Sequence, residues 1–432
     1  MKEKKQEKSI DKEKRITDRA AETCPHCNTT DFVKRGVRKN KHQEVQLYLC
    51  KNYECGKTFT SKTIKGKQYP WLAVLDAISY YNLGYTFENI TKILKVKRGV
   101  APKAETIAGW YEEYKYLCRF ERMRPYAMKL LKEWREYAKK FGNRVDMVEV
   151  VTLAHRQLYR FRYHRPKLIL QLEEYRNRGF GRLMEYLDAV STETPHQYFS
   201  NEDSGRMSEI KSKFSNANMV VRGKENFATR LTKFVLQSVP ENKQRHEEVQ
   251  RFFIANDSVT IATEVPVFIR YEDVEHFEQV LKFKILEDDG LIALKRIKRR
   301  RPFPKIVTGH IDLVQVRNGI VHILDYKPNA AKEKPIEQLT WYALALSRHT
   351  GLKLFEFKCA WFDEKDYFEF YPLHVVKKLK RKRRKRVKYR DGSDVFVPND
   401  NHLIIVTSDT KAVKKEVKSK PKAKPKPKTK KK

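Results

Sequence analysis

Hydrophobic positions change their period several times along this chain. Between Trp71 and Leu83 apolar residues fall at 71, 72, 74, 75, 78 and 81, the spacing of one face of a helix. A second helix is expected after Thr86, whose hydroxyl can cap it, running through Leu94 with Ile90, Ile93 and Leu94 inward. A third starts at Lys103, with Ile107, Trp110, Tyr111 and Tyr114 on one side. Turn signals at Gly84-Tyr85 and from Gly99 to Pro102 separate the three. Helical patterning continues over 120–190, in "PYAMKLLKEWREYAKKF" and "RPKLILQLEEYRNRGF", to which no chemistry attaches. Residues 191–224 are polar and Ser/Asn-rich and read as a linker or long loop. From 225 to 375 the order becomes helix, strands, helix, strands, the pattern of an α/β domain.

Within that domain "TGHIDLVQVRNGIVHILDYKP", Thr308 to Pro328, predicts two strands joined by a tight turn. It carries Asp312, Asp325 and Lys327 where strands prefer apolar residues. Asp325 and Lys327 are two apart and share a side with Ile323; Leu324 and Tyr326 point the other way. Two acids and a lysine on neighbouring strands can hold a divalent cation and a water beside a phosphodiester. Carboxylate oxygens suit hard cations, magnesium lowers the pKa of an attacking water, and a lysine steadies developing charge. Tyr326 would add its backbone carbonyl as an oxygen ligand. A plain salt bridge is the competing reading. Upstream, "TIATEVPVFI" is strand-like and carries Glu264, and "NKQRHEEVQRFF" is helical and carries His246. Downstream, Gln338 and Tyr342 of "PIEQLTWYALAL" share one helix face. A surface acid, a solvated histidine and ordinary packing are the plain alternatives for these neighbours.

Six cysteines bring a second chemistry. "CPHC" supplies Cys24 and Cys27, and "LCKNYECGKTF" supplies Cys50 and Cys55. Two thiolate pairs about twenty residues apart can close a tetrahedral zinc site around two strand-like runs, a zinc ribbon. Four protein ligands leave no open position, so this zinc is structural. His26 and His42 are available but not needed, and four unrelated buried thiols compete. Cys118 and Cys359 stand alone and read as buried small hydrophobes.

Charge names the partner class. The chain has 432 residues, with 92 Lys and Arg against 54 Asp and Glu, a net charge of +38. Such a field attracts polyanions, and nucleic acid leads because counterion release supplies affinity without sequence preference. Solubility and acidic lipid are the alternatives. "LKRIKRRRPFPK", with Arg299, Arg300 and Arg301, lies just before the hairpin and can grip a phosphate backbone. "KKLKRKRRKRVKYR" spans Lys377 to Arg390, and the last 22 residues hold twelve lysines and one acid. A nuclear localisation signal is the competing reading of "KRKRRKR". No apolar run of about 18 residues is present, so no membrane span is expected. The N-terminus lacks an apolar signal core, so an intracellular location is expected, in cytoplasm, nucleoid or nucleus.

Two family resemblances follow. "CPHC", "CKNYECGKTFT" and "ETIAGWYEEY", over residues 21–116, resemble the zinc-ribbon plus helix-turn-helix DNA-binding region of insertion-sequence transposases, departing in the wider second cysteine pair. On periodicity alone a generic three-helix bundle fits equally well. The resemblance implies duplex DNA binding by a helix whose outward side chains include Lys103, Glu105, Thr106 and Lys115. "GHIDLV", "ILDYKP" and "EQLTWYALAL", over 225–373, resemble the PD-(D/E)xK nuclease superfamily and its RecB-like branch. That resemblance implies Asp312 and Asp325 as Mg²⁺ or Mn²⁺ ligands, Lys327 as the catalytic lysine and His246 as a further ligand. Glu264 then occupies a place where the family often has an acid, and Gln338 and Tyr342 line the site. The iron–sulfur cysteines of many RecB-like nucleases are missing.

The expectation is a multidomain protein: a charged arm (1–20), a zinc ribbon (21–62), a helix-turn-helix (68–118), a helical connector and linker (119–224), a restriction-endonuclease-like α/β domain with a mixed sheet flanked by helices (225–376), and a basic C-terminal region (377–432). It reads as a metal-dependent deoxyribonuclease in a mobile-element, viral, defence or recombination setting. A homodimer or recombination partners fit such a role. The alternative is a non-catalytic DNA-binding regulator or transposition accessory protein with a degenerate nuclease fold.

Overall fold

The computed structural model describes residues 21–40, 42, 44–60, 68–142, 145–200, 204–210, 212, 214, 220–223, 225–239, 242–283, 285, 304–377, 384–388 and 394–398. The charged arm, the Arg299–Arg301 run and the lysine tail lie outside them. Residues 1–378 form one compact unit and 379–432 a second. In the second, strands Arg384–Lys388 and Asp394–Pro398 pair antiparallel.

The first unit begins with a small antiparallel sheet of β1 (Phe32–Lys39), β2 (Glu44–Cys50) and β3 (Thr58–Phe59), in that order. Phe32 packs edge-on against Tyr48 at 5.4 Å and Phe59 at 5.3 Å, and among the described residues these rings with Ala21 and the four cysteines Cys24, Cys27, Cys50 and Cys55 make up its small apolar centre. So little buried area cannot hold about forty residues folded alone, which is where a metal centre contributes.

Three helices follow: α1 (Trp71–Asn82), α2 (Phe87–Arg98) and α3 (Ala104–Tyr114). Thr86 Oγ1 accepts the Asn89 N–H at 3.3 Å, and Gly99 ends α2 at φ +68, so cap and stop stand where the residue types put them. Next come α4 (Arg124–Lys139), the hairpin β4 (Glu149–His155) and β5 (Gln157–Tyr163), α5 (Arg165–Glu173), α6 (Gly181–Asp188), α7 (Val190–Glu193) and α8 (His196–Ser200). Two short strands, β6 (Gly205–Arg206) and β7 (Val221–Gly223), lead to α9 (Phe227–Val235) and α10 (Asn242–Asn256). The chain then runs through β8 (Thr260–Arg270), α11 (Tyr271–Gln279), β9 (Ile306–Arg317), β10 (Ile320–Tyr326), α12 (Ile336–Thr350), β11 (Phe357–Phe362), β12 (Tyr367–Phe370) and α13 (Pro372–Val376).

The large sheet is mixed, in the order β4-β5-β8-β9-β10-β11-β12-β7, with β6 beside β9. Pairing is antiparallel through β8, β9 and β10, then parallel from β10 to β11, because α12 carries the chain back before β11 begins. Cys118 and Cys359 are buried as expected. Ile311, Val314 and Ile323 pack with Leu339, Trp341 and Ala343 of α12 in one core. Leu313, Leu324, Tyr326 and Phe362 belong to the other, with Val249, Phe252 and Phe253 of α10.

That second core also contains Trp71, Val74, Ile78, Ile90, Leu94 and Trp110, so the three-helix region shares a core with the sheet. The expected helical connector differs as well. "EVVTLAH" and "QLYRFRY" form a hairpin that extends the sheet, Arg162 pairing with Thr263. Their β-branched and aromatic residues favour strand, and a pleated edge to pair with settles the choice. Among the described residues, no helix is long and apolar enough to cross a membrane.

Candidate active site and metal centre

The metal centre is local in sequence. The first knuckle turns back through Asn28 at φ +59, with Asn28 N donating to Cys24 O at 2.8 Å; the second turns at Gly56, φ +49. Cys24 and Cys55 sulfurs lie 3.8 Å apart and those of Cys27 and Cys50 3.5 Å apart. All four lie within 4.8 Å of one another. Tetrahedral Zn–S bonds of about 2.3 Å put sulfurs about 3.8 Å apart, whereas a disulfide needs about 2.05 Å. The four cysteines can therefore hold a metal ion such as zinc. His42 is stacked on Tyr69 at 4.4 Å and takes no part.

The second candidate site gathers side chains from five elements, where the end of β10 meets the middle of β9. The tight turn at Asn318-Gly319, φ +53 and +74, sets the hairpin register, with Ile323 opposite Val314 and Leu324 opposite Leu313. Asp312 Oδ2 accepts the Tyr326 N–H at 3.0 Å and stands 3.4 Å from His246 Nδ1. Lys327 Nζ stands 3.0 Å from Asp325 Oδ2. Asp312 and Asp325 are close enough to share a hydrogen bond. Opposite Asp312 on β8, between the pairs Thr263–Leu313 and Val265–Ile311, sits Glu264 at φ +52, a strained conformation for a residue with a side chain. Gln250 of α10 hydrogen-bonds Glu264, and Gln338 Nε2 donates to Tyr342 Oη at 2.6 Å.

Burial and like charge set the electrostatics. Burial, then the charge of Asp312, pushes Asp325 well above the usual carboxyl range. The same two causes, in the same order, lift Glu264 to about 8. Asp312 goes the other way: burial works against its charge, but the His246 hydrogen bond and charge outweigh it. His246 is raised correspondingly, its burial overcome by Asp312. Burial and the Asp325 charge hold the Tyr342 phenol well above its usual value. The cluster therefore carries fewer negative charges than carboxyls, and a bound cation would have to displace the retained protons.

The donor set fits a hard cation in kind, since Asp312, Asp325 and Glu264 offer carboxylate oxygens. Asp325 Oδ2 is sealed from solvent and takes no well-angled hydrogen bond despite the nearby lysine. The set is open, however. Among the described residues only the four cysteines place three or more donor atoms mutually within 4.8 Å. A cation here requires His246, Glu264 or the two aspartates to draw in.

The chain matches no protein-family model, no curated protein and no solved structure. The nuclease and transposase resemblances therefore stand on their residues alone.

Sequence reading missed the flank of this site. His310, two residues before Asp312, stands 2.8 Å from His155 Nδ1, and His155 Nε2 stands 2.8 Å from His196 Nδ1. Tyr159 stacks on His310 at 3.6 Å and Phe199 on His155 at 4.2 Å. Burial, then the neighbouring histidine, pushes His155 down to about 4 and His310 to about 3. "GHID" was the visible signal for His310. Nothing local ties it to residues 155 and 196.

Gly309 adjoins the same site. A Cβ there would come within 2.5 Å of the Tyr342 ring, so glycine lets that ring reach the site. The proposed DNA-facing helix is mixed. Lys103 is exposed, Thr106 half-buried, and Lys115 pairs with Glu112 at 2.6 Å. Between them the exposed side of α3 carries Glu105, Glu112 and Glu113. Lys103 and Thr106 line an open cleft of about 600 Å³ with Tyr69, Trp110 and Glu113.

Proposed function

We propose that this protein is a metal-dependent nuclease of the PD-(D/E)xK type, RecB-like, directed to DNA by its cysteine-rich sheet and the helices that follow. The observation that carries the reading is the meeting of Asp312, Asp325 and Lys327 at one strand end, with His246 on Asp312. In this reading Asp312, Asp325, the Tyr326 carbonyl and His246 hold Mg²⁺ or Mn²⁺, which supplies charge stabilisation and an acidified water. Lys327 steadies charge on the phosphate. Glu264 is held by Gln250 beside Asp312 and restores a negative charge to the set when it loses its proton. Gln338 and Tyr342 bound the side that DNA approaches. The net charge of +38 supports a polyanionic substrate. Zinc in the cysteine site is part of the reading, as is an intracellular setting such as a mobile element, virus, defence system or recombination pathway.

A second reading is a DNA-binding protein whose nuclease fold has lost catalysis. The open donor set favours it, since no three donors of the acid cluster lie mutually within 4.8 Å. Incubation of linear, circular and single-stranded DNA with Mg²⁺ or Mn²⁺ separates the two. Cutting by the wild type that disappears in Asp325→Ala and Lys327→Ala supports the nuclease. Binding without cutting on every substrate supports the regulator.

A further inference from the structure

Helix α4 and the residues just past it carry an aromatic and basic face with no role in the site described above. Its inner side is fixed. Ala127 and Leu131 are buried with Phe120 and Met147, Arg135 Nε donates to Val145 O at 2.9 Å, and the Arg165 guanidinium lies 5.5 Å from the Trp134 ring. Its outer side is open: Tyr126 and Tyr137 are each 65% exposed and Phe141, just beyond the helix, 63%. Isolated exposed apolar groups are ordinary, but these three rings also line up. Tyr126 and Tyr137 are eleven residues apart in sequence, three helical turns, so they stand on one line about 16 Å apart. Phe141 continues it, with its ring 5.2 Å from Tyr137.

Beside these rings stand three exposed lysines, with one acid, Glu133, on the line between Tyr126 and Tyr137. Lys129, Lys132 and Lys140 are exposed, and none pairs with an acid among the described residues. The helix carries five basic side chains against two acids, Glu133 and Glu136.

We propose that this face binds single-stranded nucleic acid, its bases stacking on Tyr126, Tyr137 and Phe141 while Lys129, Lys132 and Lys140 meet its phosphates. Aromatic rings attract any unpaired base, because every base has a π-face, and the lysines follow the backbone. A duplex hides its base faces in the stack and cannot use the rings. An acidic protein could use the lysines, but it would leave three rings exposed to little purpose. The surface is separate from Asp312, Asp325 and Lys327, and it does not depend on their chemistry.

The test uses the full chain with a labelled oligodeoxythymidine about 20 nucleotides long and a hairpin duplex of equal length. Chelator excludes cleavage, and about 0.3 M salt suppresses binding by charge alone. Each stack is worth about 1–3 kcal/mol, so Tyr126→Ala with Tyr137→Ala should weaken strand binding at least about tenfold and leave duplex binding within about twofold. Tyr126→Phe with Tyr137→Phe should bind like the wild type, because stacking survives without the hydroxyls. Because the chelator removes cleavage from the measurement, this result is independent of the nuclease reading. Unchanged strand binding in the alanine pair, or equal losses on strand and duplex, would overturn the proposal.

Discussion

Arg251 Nη2 donates to Asp76 Oδ1 at 2.8 Å, across 175 residues of sequence, and joins α10 to α1. Asp76 is nearly buried and also takes Lys97 at 3.0 Å and Arg98 at 2.7 Å, while Glu248 takes Arg251 at 3.1 Å and Arg98 at 3.6 Å, so two carboxylates face three cations. Burial alone would raise its pKa, but Arg251, Arg98 and Lys97 hold it below the usual range. Asp76→Ala leaves three cations on Glu248 alone and should cost about 3 kcal/mol in urea unfolding. Because the folded pKa lies below the unfolded one, this contribution is complete above the ordinary carboxyl pKa. It fades as pH falls through the lower folded value. The wild type should therefore lose stability in acid more steeply than Asp76→Ala, and parallel acid profiles would contradict the assignment.

Lys167 is buried with its ammonium on three backbone carbonyls: Ile254 and Asp257 at 2.6 Å and Thr260 at 2.9 Å. It ties the end of α10, which carries His246 and Gln250, to the start of β8, which carries Glu264. Lys167→Met fills the same space but leaves three carbonyls without a donor, at about 1–3 kcal/mol each before relaxation. A loss of several kcal/mol is expected in denaturant titration. A variant as stable as the wild type would show that water or a rearranged turn replaces the ammonium.

Much of this was legible in the sequence, and what was missed shares one cause. The paired cysteines and the Asp312, Asp325, Lys327 hairpin are short-range patterns, so spacing and alternation locate them. Helical periodicity identified Trp71, Ile90 and Trp110 as inward, but it cannot say inward against what; they meet α10 and the sheet core. Likewise β4 and β5 read as helical because their pairing partner, β8, lies a hundred residues on. With them the contacts of His310 with His155 and His196 went unseen.

Glu264 supplies a pH signature. Its folded pKa of about 8 lies above the unfolded value, so between about pH 4.5 and 8 the unfolded state has lost a proton that the fold retains. Stability should fall as pH rises through that window and level off above it. Glu264→Gln keeps the geometry and should flatten the fall when both proteins are melted in chelator. If the slopes match, Glu264 is not the group being titrated.

Zinc is the simplest prediction to check. Elemental analysis of purified protein should find about one zinc per chain, and Cys24→Ser with Cys27→Ser should abolish it. Chelation should unfold residues 21–60, seen as their rapid amide exchange, while the large sheet stays protected. Zinc retained by the double variant would place the metal elsewhere.

The central claim is that Asp312, Asp325 and Lys327 form a phosphodiester-cleaving site. The most direct measurement is the cleavage rate of DNA at saturating Mn²⁺ by wild type and by Lys327→Ala, which keeps both acids but removes the cation next to Asp325. The wild type should cut, and Lys327→Ala should cut at least about a hundredfold more slowly. Equal rates in the two proteins would contradict it.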